Sequence, residues 1–160
     1  MTTALPTFRR PDPPSPIERY DLVHPEVPPS LDGTTILHLT DTHVRRGRPF
    51  TPARRTLADA IRRTHADLVC LTGDYMTRPG DEPAALRSLR ALVEAGSPPL
   101  GIFGIFGNHD SVAFERGAAA LPGVRWLHNE SVDVPGRPGL RLLGASYPED
   151  AVGALLSMGP

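Results

Sequence analysis

The chain is poor in the residues that mark several large classes of protein. Its one cysteine, Cys70, cannot form an internal disulfide, and it lies in an apolar run at 67–71 where a thiol behaves as a small hydrophobic side chain. No stretch approaches the roughly 18 apolar residues of a membrane span, and residues 1–10 lack the apolar segment of a signal peptide. We therefore expect a cytoplasmic protein without a disulfide framework.

Lysine is absent, since all 17 basic residues are arginine, a bias that we attribute to a GC-rich genome. The formal net charge of −1 gives no overall field that would attract nucleic acid or an anionic membrane. The arginines also lack the interleaved aromatic side chains of a nucleic-acid surface, so we expect no nucleic-acid partner. An anionic partner would have to bind a local patch of basic residues.

The 160 residues suffice for one domain with its own core. Residues 1–30 contain eight prolines and are predicted to form an extended lead-in, because proline removes backbone donors and breaks helices. The predicted domain covers residues 31–160.

Hydrophobic periodicity and turn residues predict alternating strands and helices in an α/β fold. The predicted strands share short apolar or β-branched runs, at 34–40, 67–72, 100–106, 124–127, 131–134 and 140–143. The predicted helices share apolar residues three or four apart, at 51–64, 82–95, 112–119 and, starting at the C-terminus, 151–158. Thr51 is the expected N-cap of the first helix, and Gly96 is the expected C′ residue that ends the second.

Three short polar clusters follow the first three long strands: DTH at 41–43, GD at 73–74 and GNHD at 107–110. Asp41, Asp74 and Asn108 are separated by 33 and 34 residues, close to the roughly 30 or more residues of one βαβ unit. Successive βαβ units bring the carboxyl ends of their strands to one edge of a parallel sheet, where ligands bind. Carboxylate, amide and imidazole donors at such an edge predict a metal site.

The segments LTDTH at 39–43, LTGD at 71–74 and GNHD at 107–110 resemble the first three motifs of the calcineurin-like metallophosphoesterases. Flanking segments, DG at 32–33, HNE at 128–130 and LLG at 142–144, are most similar to the bacterial single-domain phosphohydrolase branch of that family. The resemblance covers roughly residues 25–147. It implies the first half of an α/β/β/α sandwich, with metal loops at the carboxyl ends of the strands.

The resemblance also implies the metal ligands. Asp41 and His43 would bind a first metal, Asp74 would bridge two metals, and Asn108 would bind the second. Nitrogen and oxygen donors without thiolate suit two divalent ions of manganese, iron or zinc. Such a pair of ions would activate water to hydrolyse a phosphomonoester, a phosphodiester or a pyrophosphate.

Further roles concern the substrate. The resemblance implies that His109 faces the substrate phosphate and that Asp110 orients the ring of His109. Arg45, Arg46 and Arg48 lie in the loop beside the predicted metals, where guanidinium groups could bind phosphate oxygens. The expected substrate is a phosphorylated small molecule or lipid, with contact to the inner membrane face left open.

The family pattern continues with a lone histidine and a Gly-His-x-His motif, whereas this chain has no histidine after His128. We therefore expect the chain to be the N-terminal portion of a longer enzyme, or to be completed by a second chain. The alternative is a catalytically silent fragment or binding module whose incomplete site holds one metal or none.

Overall fold

The computed structural model describes residues 7–9, 17–47, 52–147 and Gly153, with only the backbone described at 7–9 and 52–55. Its strands are β1 Thr7–Arg9, β2 Asp21–Val23, β3 Ile36–Leu39, β4 Leu68–Thr72, β5 Ile102–Ile105, β6 Val124–Trp126, β7 Glu130–Asp133 and β8 Arg141–Gly144. Its helices are α1 Pro52–Thr64, α2 Glu82–Val93 and α3 Val112–Ala119, and a 3-10 turn spans Pro29–Leu31. Thr51, Arg48 and the helix predicted at 151–158, apart from Gly153, lie outside the described residues.

A parallel sheet of four strands in the order β3-β4-β5-β6 forms the centre of the fold. Leu37 pairs with Val69 in the first two strands, and Cys70 pairs with Phe103 in the next two. Helices α1 and α2 lie between successive parallel strands, which confirms the predicted βαβ units. The three polar clusters therefore leave the sheet at the same edge.

Helices α1, α2 and α3 bury one face of this sheet. Leu71 of β4, Leu89 of α2 and Phe114 of α3 are at most 2% exposed and belong to one hydrophobic cluster. Fully burying a side chain of this size contributes about 1.5–3 kcal/mol. This core holds the strand ends, and so the polar loops, in fixed positions.

The antiparallel hairpin β7–β8 covers part of the opposite face. Val132 of the hairpin packs in a second cluster with Leu68 and Phe103 of the sheet. Cys70 joins that cluster, where burial raises the pKa of its thiol to about 11, so the thiol stays protonated. The hairpin leaves Ile36 of the edge strand β3 50% exposed.

The prediction that Gly96 is the C′ residue that ends α2 is wrong. Helix α2 ends at Val93 with Glu94 as its C-cap, and Gly96 does not have a positive φ. A Cβ atom on Gly96 would lie 2.9 Å from Cγ2 of Ile61. This glycine therefore permits close packing against α1.

The proline-rich lead-in contributes a small antiparallel pair. Phe8 of β1 pairs with Leu22 of β2. None of the helices in the described ranges combines the length and apolar character that crossing a bilayer requires.

Candidate metal centre

The first polar loop runs alongside the second as an irregular continuation of the β3–β4 pairing. The N–H of Asp41 donates to the carbonyl of Gly73 at 3.2 Å, and the N–H of His43 donates to the carbonyl of Asp74 at 2.9 Å. One residue later, Val44 forms a parallel bridge with Met76. The sheet therefore sets the register of the two loops as well as that of the strands.

Three of the predicted site residues have left-handed backbone conformations. Asp41, His43 and Asp74 have φ values of +53°, +40° and +54°. Such conformations cost about 1–3 kcal/mol each and concentrate at functional sites. Aspartate and histidine accept them more readily than most side chains, which accounts for these residue types in the loops.

Two glycines allow the second and third loops to approach each other. A Cβ atom on Gly73 would lie 2.5 Å from the backbone nitrogen of Gly107. A Cβ atom on Gly107 would overlap Oδ1 of Asp74 and lie 2.7 Å from the backbone nitrogen of Asp74. Any larger residue at either position would push the Asp74 loop away from the GNHD loop.

The imidazole of His43 lies between two carboxylates. Its Nε2 atom is 3.4 Å from Oδ1 of Asp41 and 3.7 Å from Oδ2 of Asp74. Two ligand atoms at a tetrahedral angle around an ion about 2.1 Å away lie about 3.4 Å apart. Each of these two separations is close to the spacing of two ligands around one ion.

His109 joins the same group from the third loop. One ligand atom each of His43, Asp74 and His109 lie within 4.8 Å of one another. The two imidazole rings meet edge to face, with centroids 4.9 Å apart. The main-chain N–H of His109 donates to Oδ1 of Asp74 at 3.1 Å. The backbone of the third loop therefore positions the carboxylate of the second loop.

This donor set fits a divalent metal. Ligand atoms about 2.0–2.2 Å from one ion are at most about 4.4 Å apart. Three such atoms cannot all be that far apart, because their mean separation is at most about 3.8 Å. The His43, Asp74 and His109 atoms, which lie within 4.8 Å of one another, would therefore close by up to about 1 Å around one ion. Imidazole and carboxylate donors suit manganese, iron or zinc better than a soft ion.

The other two predicted ligands, Asp41 and Asn108, lie at the same edge of the sheet. Asp41 is exposed, and its pKa is lowered by a hydrogen bond from the Thr40 hydroxyl at 2.6 Å, assisted by the nearby His43. Asn108 is exposed in the turn that follows β5, directly before His109. The structure thus leaves both side chains accessible to an ion.

The structure contradicts the expected role of Asp110. Its Oδ1 accepts the N–H groups of Tyr75 and Met76 at 2.8 and 3.4 Å, and its Oδ2 accepts those of Asp74 and Gly107, both at 2.9 Å. Burial raises the pKa of this carboxyl group, against the opposing effect of the four hydrogen bonds. Asp110 therefore joins the second and third loops, and it does not orient the ring of His109.

A backbone carbonyl orients that ring instead. Nδ1 of His109 lies 2.9 Å from the carbonyl oxygen of Thr77. The hydroxyl of Thr77 donates to the carbonyl of His43 at 3.0 Å. The sequence reasoning missed Thr77 because neither contact follows a sequence pattern.

The arginines next to the site are only partly described. Arg45 and Arg46 are exposed on the first loop, and Arg48 lies outside the described residues. The N–H of Arg46 donates to Oδ1 of Asp81 at 2.7 Å, and Asp81 is 2% exposed directly before α2. This hydrogen bond fixes the backbone of the first loop at Arg46. The side chains of Arg45 and Arg46 extend from that fixed backbone into solvent.

Two comparisons with known proteins agree with this geometry. The family model of the calcineurin-like phosphoesterases matches residues 34–145, which contain all three polar loops. The chain is also 31% identical, over 88 residues, to YkoQ of Bacillus subtilis strain 168, an uncharacterized metallophosphoesterase. That match covers 55% of this chain and 31% of YkoQ, so the chain aligns with about a third of the relative's length. The chain belongs to the calcineurin-like phosphoesterase family.

Proposed function

We propose that this chain binds two divalent metal ions at the carboxyl edge of its parallel sheet and hydrolyses a phosphoester there. The supporting observation is the position of His43 Nε2, 3.4 Å from a carboxylate oxygen of Asp41 and 3.7 Å from one of Asp74. When bound, such ions supply Lewis acidity towards water and phosphate oxygens.

In this proposal the metal ligands are Asp41, His43, Asp74 and Asn108. Asp74 lies between the first and third loops, with Oδ2 towards His43 and Oδ1 towards the His109 backbone. It is therefore the carboxylate best placed to contact both ions. Its side chain is 17% exposed, which limits competition from bulk water.

We assign His109 to the substrate. A carbonyl oxygen only accepts hydrogen bonds, so the contact with Thr77 places the proton of a neutral His109 ring on Nδ1 and leaves Nε2 available. His109 is exposed, unlike the half-buried His43. As water attacks phosphorus and the bond to the leaving oxygen breaks, a protonated His109 would donate its Nε2 proton to that oxygen.

The substrate in this proposal is a phosphorylated small molecule or a lipid headgroup. Arg45 and Arg46 are exposed on the anchored first loop, where their guanidinium groups can bind phosphate oxygens outside the metal site. Arg48 is proposed for the same role from its place in the sequence.

The test is hydrolysis of bis(p-nitrophenyl) phosphate by the purified chain with Mn²⁺, Fe²⁺ or Zn²⁺. We expect metal-dependent turnover that Asp74→Ala abolishes and that Asp59→Ala retains, since Asp59 lies on α1 and pairs with Arg62 at 3.1 Å. Absence of turnover with all three metals would contradict catalysis by this chain and support the silent binding module.

A further inference from the structure

Thr77 contacts both histidines of the metal centre, each through a different group. Its hydroxyl donates to the backbone carbonyl of His43 at 3.0 Å. Its own carbonyl accepts from Nδ1 of His109 at 2.9 Å. The histidines come from different loops, 66 residues apart in the chain. Thr77 therefore connects the first and third loops through the second.

The contact with the His43 carbonyl supports a strained residue. His43 has a φ of +40°, and such a conformation persists only where surrounding contacts hold it. Its N–H donates to Asp74 at 2.9 Å, and its carbonyl accepts from Thr77. The second loop thus holds the peptide groups on both sides of His43, and this fixes the direction of its side chain.

The contact with His109 selects a tautomer. Because the carbonyl of Thr77 can only accept, Nδ1 of the neutral ring must carry the proton. The contact therefore orients the ring of His109 and leaves its Nε2 available for the substrate role proposed above.

We infer that Thr77 is a positioning residue that holds His43 and His109 in register, so that their imidazoles converge beside Asp74. The inference rests on the proposed metal function and adds a residue outside the ligand set. Thr77 is half-buried, and the competing explanation is a threonine that contributes only to folding stability.

The first experiment compares Mn²⁺ affinity by calorimetric titration in Thr77→Val and Thr77→Ser. Valine keeps the shape and removes the hydroxyl, so we expect about tenfold weaker binding, whereas serine keeps the hydroxyl and should bind within about twofold of the unmodified chain. Thr64→Val is the matched control. It removes a hydroxyl that donates to the Ala60 carbonyl at 2.8 Å on α1, and it should leave Mn²⁺ affinity unchanged.

The second experiment needs no metal. ¹⁵N NMR of the metal-free protein should show the Nδ1–H tautomer of neutral His109, and hydrogen exchange at the amide of His43 should be faster in Thr77→Val than in Thr64→Val. An Nε2–H tautomer, or equal exchange in the two variants, would overturn the inference. So would Mn²⁺ affinity in Thr77→Val equal to that of the unmodified chain.

The two experiments separate this inference from the proposed function. If the unmodified chain binds no Mn²⁺, the metal proposal fails, while the tautomer and exchange results still decide the role of Thr77. If Thr77→Val fails to fold, Thr77→Ala, which also removes the hydroxyl, takes its place in both experiments, and the tautomer is read from the unmodified chain.

Discussion

The main-chain N–H of His109 donates a hydrogen bond to Oδ1 of Asp74 at 3.1 Å, although the residues lie on loops separated by a full βαβ unit. The bond turns the second carboxylate oxygen, Oδ2, towards His43, which it approaches to 3.7 Å. The first, second and third polar loops thus meet at one carboxylate. This arrangement makes the centre sensitive to changes in residues that bind neither metal nor substrate.

Replacing Asp110 by asparagine should destabilise the protein by about 2–3 kcal/mol. Each carboxylate oxygen of Asp110 accepts two backbone N–H groups, so in either orientation the asparagine side chain places its NH₂ group against two N–H donors. Urea denaturation of the two proteins checks this. Asp133→Asn is the control, since it changes an exposed aspartate paired with Arg141 at 2.8 Å and should leave the midpoint nearly unchanged. Equal midpoints for Asp110→Asn and the unmodified chain would refute the joining role of Asp110.

Gly107→Ala should separate the second and third loops, because its Cβ would lie 2.7 Å from the Asp74 nitrogen and overlap the Asp74 carboxylate. We expect weaker Mn²⁺ binding, by at least about tenfold. Gly80→Ala provides the comparison. Gly80 has a φ of +95° with no neighbouring atom within 4 Å, so alanine there adds backbone strain without a clash. Similar Mn²⁺ affinities in the two variants would contradict the close approach of the loops.

Removing the side chain of His43 and removing that of His109 should affect Mn²⁺ binding and catalysis differently. His43→Ala should weaken Mn²⁺ binding by more than about tenfold, because Nε2 lies between two carboxylates. His109→Ala should bind Mn²⁺ within about threefold of the unmodified chain and lose about 10²–10⁴-fold in kcat. Calorimetry and initial rates give both quantities. The reverse pattern would make His109 the ligand and His43 the group that faces the substrate.

Stability should depend on pH through Asp67 at the start of the sheet. The N–H and hydroxyl of Thr35 both donate to its Oδ2 at 2.8 Å, and they lower the pKa of Asp67 below 3.8. A carboxyl group with a lowered folded-state pKa stabilises the fold above its unfolded-state pKa, and this stabilisation is lost as the pH falls through the folded-state pKa.

The matching experiment is urea denaturation of Asp67→Asn and the unmodified chain at pH 7 and pH 2.5. The unmodified chain should exceed Asp67→Asn in unfolding free energy by more at pH 7 than at pH 2.5. Asp59→Asn serves as the control on α1. A difference that is equal at the two pH values would show that Asp67 contributes nothing through its charge.

The features that could be predicted from the sequence are those that depend on local residue patterns and on the order of strands and helices. Helix α3 has the predicted bounds, and the three polar loops leave one sheet edge because consecutive βαβ units place them there. Asp41, His43 and Asp74 were predicted as ligands from the joint occurrence of the polar clusters at matched spacing and from the family resemblance, and the structure places His43 beside both carboxylates.

The contacts between the loops could not be predicted. Asp110 accepts hydrogen bonds from four backbone N–H groups. Thr77 contacts the carbonyl of His43 and the ring of His109. Both roles depend on the distances between loops, which hydrophobic periodicity does not determine. Gly96 was misassigned for a related reason. Its neighbour Ile61 lies on another helix, and the turn residues around Gly96 carry no information about that packing.

The most direct test of the metal centre is anomalous X-ray diffraction from crystals of the chain soaked in Mn²⁺. The proposal predicts an anomalous peak about 2.0–2.2 Å from both Nε2 of His43 and Oδ2 of Asp74, and its loss in Asp74→Ala. Well-ordered density for these side chains, without a peak between them at millimolar Mn²⁺, would contradict the account.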